Sequence, residues 1–157
     1  MHIVKISWSN TNSFGLIEID LDRYFPCSQK DARQLFREIK YCGALDVAEQ
    51  VLKYLTTKIM GIKTSYTALM QQHVCLSTRL ATLKLQLESG RSESGLSLGI
   101  LDIEDKKQEW KEVQNEARYC HSKCVHMEKD FKKLESAICL LQKMFPVGIG
   151  GGKEVGM

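Results

Sequence analysis

LDVAEQVLKYLTTKIMGIKTSYTALMQQHVCLSTRLATLKLQL, residues 45–87, decides the fold. Every third and then fourth position is apolar: Leu45, Ala48, Leu52, Leu55, Ile59, Ile62, Tyr66, Leu69, then Leu76, Leu80, Leu83 and Leu87. His73 is the one polar residue in the series. A second stretch, IEDKKQEWKEVQNEARYCHSKCVHMEKDFKKLESAICLLQKMF (103–145), repeats the pattern through Ile103, Trp110, Val113, Ala117, Cys120, Cys124, Met127, Phe131, Leu134, Ile138, Leu141 and Phe145, with Lys106 as its exception. A seven-residue repeat of this kind under-winds a helix to 3.5 residues per turn and keeps one seam facing a partner, which is the coiled-coil signature.

Both runs span 43 residues. Each predicts a helix ~65 Å long at 1.5 Å rise per residue. Between them lies Glu88-Ser89-Gly90-Arg91-Ser92-Glu93-Ser94-Gly95-Leu96-Ser97-Leu98-Gly99, polar and punctuated by glycine. Equal arms around one flexible linker predict an antiparallel helical hairpin with its tip at 89–99. Gly61 interrupts the first arm at a cost of ~1 kcal/mol relative to alanine. The heptad phase continues across it, so one bent helix is expected.

The remaining elements precede the hairpin. Val4, Ile6 and Trp8 alternate with Lys5 and Ser7, and Ile17, Ile19 and Leu21 alternate with Glu18, Asp20 and Asp22. Period two on both sides of a Ser9–Ser13 turn cluster closed by Gly15 predicts a β-hairpin. A lone hairpin is marginal in water, so its apolar face must pack on something else. After the connection Tyr24-Phe25-Pro26-Cys27, Ser28 and Asp31 approximate a capping box. They start a helix with Ala32, Leu35, Phe36, Ile39 and Cys42 on its buried stripe, and Gly43 stops it. The fold class is therefore α+β, mostly α. Residues 1–44 form a base of β-hairpin and short helix, 45–145 the coiled-coil hairpin, and 146–157 a flexible glycine-rich tail.

Composition places the chain among ordinary globular domains: 157 residues, 43% hydrophobic and 26% charged. The formal charge of +3 falls short of a strongly basic nucleic-acid domain. Six cysteines raise the question of a secreted disulfide scaffold. The absence of a charged n-region followed by an apolar h-region, and the length and regularity of the chain, point instead to reduced thiols and a cytoplasmic setting. No apolar run approaches the ~20 residues that span a bilayer.

Chemistry-bearing groups are few. Cys120, His121, Cys124 and His126 are the one cluster with metal-ligating side chains. Cys120 and Cys124 occupy seam positions that call for small apolar residues, and no paired CxxC accompanies them, so no metal or other cofactor is expected. His73 in the seam is expected to set register by pairing with a polar neighbour across the interface. Gly150-Gly151-Gly152-Lys153 has a superficial likeness to a phosphate loop. Val147 and Glu154 stand where that loop needs glycine and a hydroxyl residue. No nucleophile sits beside a base with an orienting third group, so catalysis is not expected.

Charge patterning suggests binding instead. Lys30, Arg33, Arg37 and Lys40 recur along the polar side of the short helix, and Lys53, Lys58, Lys63, Arg79 and Lys84 meet no acidic residue between Gln50 and Leu87. The second arm is nearly balanced. Apolar residues outside the seam, namely Val47, Val51, Tyr54, Met70, Val74, Val125 and Leu140, exceed what two helices need. Met70, Val74 and Val125 are positioned to cover a second copy or a partner helix. The resulting expectation is a non-enzymatic module that docks on a larger protein as inhibitor, adaptor or assembly factor. Small chains without catalytic motifs share this profile with inhibitors that phages and mobile elements aim at host nucleases, anti-CRISPR proteins among them. The alternative is a nucleic-acid accessory protein using Lys30, Arg33, Arg37 and Lys40 with Lys53, Lys58 and Lys63. Homodimerisation is a further option, and no membrane partner is expected.

Overall fold

The structure, a computed structural model, describes residues 2–9 and 13–146. The centre of the Ser9–Ser13 turn and the glycine-rich tail with its Gly150–Lys153 segment lie outside the described residues. The element order is β1 (Ile3–Ser9), β2 (Phe14–Asp20), α1 (Leu21–Tyr24), α2 (Gln29–Tyr41), α3 (Leu45–Ser89) and α4 (Ile100–Met144). The chain is mostly helical, with an N-terminal two-stranded antiparallel hairpin and two long helices, α3 and α4, packed on each other. The described residues fall into two compact units, one drawn from Met1–Lys63 and Lys129–Met157, the other from Thr64–Glu128.

In the first unit the hairpin register sets Val4 opposite Ile19, Ile6 opposite Ile17 and Trp8 opposite Gly15. Val4 and Ile6 are buried. Gly15 is a strand residue rather than the end of the turn. The Trp8 ring lies where its Cβ would be, so only glycine lets the indole cross the partner strand. Asp20 caps α1 by accepting from the Asp22 N–H. This single helical turn takes Leu21 and Asp22, which the period-two pattern places at the end of the second strand, and Tyr24, which it places in the connection; four residues are too few to show a helical period.

Ser28 caps α2. Its hydroxyl accepts from the Asp31 N–H (3.2 Å) and donates to the Asp31 carboxylate (2.8 Å). The helix ends at Gly43, whose φ of 68° is easily adopted only without a Cβ. Its apolar stripe, Ala32, Leu35, Phe36 and Ile39, is buried, and Cys42 is half-buried. Here α3 needs a wide apolar face. Ala48 and Leu55 belong to its seam, while Val47, Val51 and Tyr54 join them in the core with Val4, Ile6 and α2. Leu134, Ala137, Leu140 and Leu141 of α4, with Phe145 just beyond its end, complete this core.

In the second unit the covered face of the α3 stretch 64–78 narrows to the heptad positions Tyr66, Leu69, His73 and Leu76. That is what a two-helix seam requires when nothing else packs on it. Across both arms, among the described residues, every heptad position but Leu45 is buried or half-buried. The helix α3 is continuous through Gly61.

The α3–α4 linker is a closed turn. Gly90, with φ 68°, receives α3 as its N–H donates to the Gln86 carbonyl (2.8 Å). Ser92 N–H donates to Leu96 O (2.7 Å), and Leu98 N–H to Gly90 O (2.8 Å). At the far side Asp102 accepts from Gly99 N–H in the first turn of α4. Among the described residues, no helix is long and apolar enough to cross a membrane.

Candidate interaction surfaces

The seven basic residues singled out from sequence all lie in the first unit but do not form one patch. Lys30, Arg33 and Arg37 line a shallow groove on α2 with Gln29 and Gln34. Lys40 is outside it, and its ammonium donates to the Met144 carbonyl (3.3 Å) at the end of α4. There it meets the negative end of the helix dipole. Lys53 and Lys58 border a different groove. Lys63 is exposed on α3 and lines neither.

The second groove, about 570 Å³, runs beside the start of β1. The sheet side is formed by His2, Ile3 and Val4, and α3 contributes Gln50, Lys53, Tyr54, Thr57 and Lys58. Asp22 is its polar hub. Tyr54 Oη donates to Asp22 Oδ1 (2.8 Å), and His2 Nδ1 lies 3.0 Å from Oδ2. These two hydrogen bonds, that from His2 first, hold the Asp22 carboxyl below its ordinary value. An ionised carboxylate only accepts, so His2 Nδ1 carries the proton. Burial, helped by the bond to Asp22, raises the Tyr54 hydroxyl pKa. The Tyr54 ring stacks at a tilt against His2, centroids 5.0 Å apart, and the Lys58 ammonium stands 5.6 Å from the Tyr54 centroid. With Asp22 already engaged by two donors, Lys53 and Lys58 give this groove a cationic side suited to an anion. Sequence reasoning passed over His2 and Asp22 because the residues they meet are distant in the chain.

In the second unit the expected bare basic face of α3 is partly neutralised. Arg79 Nε donates to Glu109 Oε2 (2.7 Å), and its guanidinium also reaches Glu93. Lys84 stands 4.0 Å from Glu88. These acids lie beyond the Gln50–Leu87 window, on the linker, on α4 or one helical turn further along α3. Tyr66 donates to Glu128 (2.6 Å), which raises the Tyr66 hydroxyl. His73 is half-buried and faces His121, ring centroids 5.9 Å apart. Cys120 and Cys124 are buried, and the Cys120 thiol donates to the Leu69 carbonyl (3.1 Å). Among the described residues, no three His, Cys, Asp or Glu side chains are grouped to hold a metal ion.

Both units expose large apolar side chains; in the first these include Phe14, Leu16, Tyr41 and Met60. In the second, Met70, Val74 and Val125 are exposed, as is Tyr119. Within the second unit the largest exposures flank the closed turn: Leu85 67%, Leu96 70%, Ile100 82% and Leu101 80%. The linker looked polar in sequence because serines and glycines surround Leu96, and because Ile100 and Leu101 adjoin the start of a heptad run. Comparison of the chain with protein-family models, with curated proteins and with solved structures finds no match.

Proposed function

We propose that this chain is a non-enzymatic interaction module that docks on a larger protein as an inhibitor, adaptor or assembly factor. The observation that carries this reading is the exposure of Leu85, Leu96, Ile100 and Leu101 around a turn closed by its own hydrogen bonds. Four aliphatic side chains at least two-thirds exposed are unfavourable to leave in water, and exposed apolar patches mark interaction sites. A turn already ordered presents them at little entropic cost on binding. Seam packing in the same unit supports a binding role over a catalytic one, because filled coiled-coil seams offer little space for substrate.

The test is an affinity pull-down from lysate with nuclease treatment, comparing the native chain with Leu96→Glu/Ile100→Glu and with Arg33→Glu/Arg37→Glu. A stoichiometric protein that survives nuclease, stays with the basic-face variant and is lost with the turn variant supports the reading. Recovery that collapses with nuclease and with Arg33→Glu/Arg37→Glu sinks it. The second reading, nucleic-acid binding, would then take its place, favoured by the single groove that Lys30, Arg33 and Arg37 share. Such binding would weaken steeply with salt.

A further inference from the structure

We infer that the open edge of β1 is a docking strand for an extended acidic peptide, held along the groove that Lys53 and Lys58 border. The inference rests on the interaction-module reading and names the partner's chemistry at a surface separate from the apolar turn.

Leu21 N–H donates to His2 O (2.7 Å), and the register continues with Ile3 opposite Asp20 and Val4 opposite Ile19. Hydrogen-bonded and non-bonded pairs alternate along an antiparallel ladder. Val4 and Ile6 therefore aim their N–H and C=O groups at β2, while Ile3, Lys5 and Ser7 aim theirs the other way. The described sheet has two strands, so β1 is an edge, and no hydrogen bond among the described residues occupies those outward groups. An edge with unpaired groups is a template for an added strand.

The groove supplies the selectivity. It is lined by His2 and the first two residues of β1 and by Leu21 and Asp22 of α1, with no residue of β2, so it lies at the start of β1. Successive side chains of a strand point to opposite faces. A residue of the added strand opposite Val4 would share the face of Val4, whose side chain packs into the core with Tyr54 of α3. On that side stand Lys53, Lys58 and His2, while the one acidic lining residue, Asp22, is occupied by His2 and Tyr54. An acidic side chain at that position meets two ammonium groups, and a basic one is repelled. Lys5 adds no competing selectivity, because it is paired with Glu18 (3.6 Å) on the opposite face.

The experiment titrates the full chain, labelled with 15N, with a capped peptide of alternating valine and glutamate and with its valine–lysine counterpart. The acidic peptide is expected to shift the amides of Ile3, Lys5 and Ser7 and slow their hydrogen exchange. It should bind roughly tenfold or more tightly than the basic one, a difference of about 1.4 kcal/mol. Lys53→Glu/Lys58→Glu should reverse that preference without altering the far-ultraviolet spectrum, and Leu96→Glu should leave it unchanged. This last control separates failure here from failure of the apolar turn as a contact. Equal affinity for both peptides, no saturable binding, or shifts confined to Phe14, Leu16 and Glu18 of β2 would overturn the proposal. So would inorganic phosphate displacing the acidic peptide at millimolar concentration, which would assign the groove to a small anion. Dimerisation that protects Ile3, Lys5 and Ser7 without peptide would assign the edge to a second copy.

Discussion

Gln86 is the buried polar residue of the second unit, 5% exposed, and its amide oxygen has no hydrogen-bond partner among the described residues. Replacing it with methionine keeps an unbranched side chain of similar length. Glutamine and methionine have nearly equal helix propensity, so the backbone contribution cancels. What remains is the desolvation penalty of an unpaired acceptor, about 1–3 kcal/mol. Gln86→Met should therefore stabilise the chain by about 1.5 kcal/mol. For a chain of this size each kcal/mol moves the thermal midpoint by roughly 2–4 °C, giving a rise of about 3–6 °C. The assay is circular dichroism at 222 nm against temperature and against urea. The urea midpoint should rise at constant slope, since the surface exposed on unfolding barely changes. Gln86→Glu should move the midpoint the other way, because it places a charge where the amide already lacks a partner. An unchanged or lowered midpoint for Gln86→Met would refute the reasoning and mean that the amide oxygen is satisfied in solution.

Glycine positions supply a matched pair. A Cβ at Gly61 meets nothing within 4 Å, so Gly61→Ala should stabilise by up to ~1 kcal/mol in the same melts. At Gly15 the Cβ overlaps the Trp8 ring, so Gly15→Ala should destabilise by about 1–3 kcal/mol and shift the Trp8 fluorescence. Maleimide labelling of the native chain at pH 8, mapped by mass spectrometry, should modify exposed Cys75 and Cys139 before buried Cys120 and Cys124. Cys27 should label slowly until the pH nears 11, because burial pushes its thiol up to about 11. Asp22 titrates lower in the folded chain than the ordinary 3.8, so its stabilisation is present above that value and is lost as pH falls through the folded value. Asp22→Asn should remove that part of the acid unfolding curve; a curve identical to the native one would show that the His2 and Tyr54 bonds do not persist in solution.

Local patterns carried much of the fold. The heptad positions of both arms, the period-two strands, the Ser28 cap and the Gly43 stop each depend on residues within one or two turns of one another, which a linear reading can see. The physical cause is burial. A side chain that must leave water recurs at the period of its element, and the seam from Ala48 to Phe145 follows that rule even at His73 and Lys106, both half-buried. Gly61 was similarly legible, because an unbroken heptad phase on both sides outweighs one residue's propensity.

Tertiary structure alone decided what depends on distant partners. The Asp22–His2–Tyr54 cluster joins residues from the N-terminus, α1 and α3. Arg79 looked free along α3 and finds Glu109 on α4. Lys40 looked like part of a basic stripe and instead meets the end of α4. Charge is additive along a sequence but is screened or paired in space, so a run of lysines and arginines overstates the cationic surface that survives folding. Apolar residues show the converse. Val47 and Val51 are buried because a third layer covers α3 in the first unit, while Val74, Leu96 and Ile100 are exposed because the second unit has two helices and a turn. Composition cannot distinguish those sets; only the presence or absence of a covering element does.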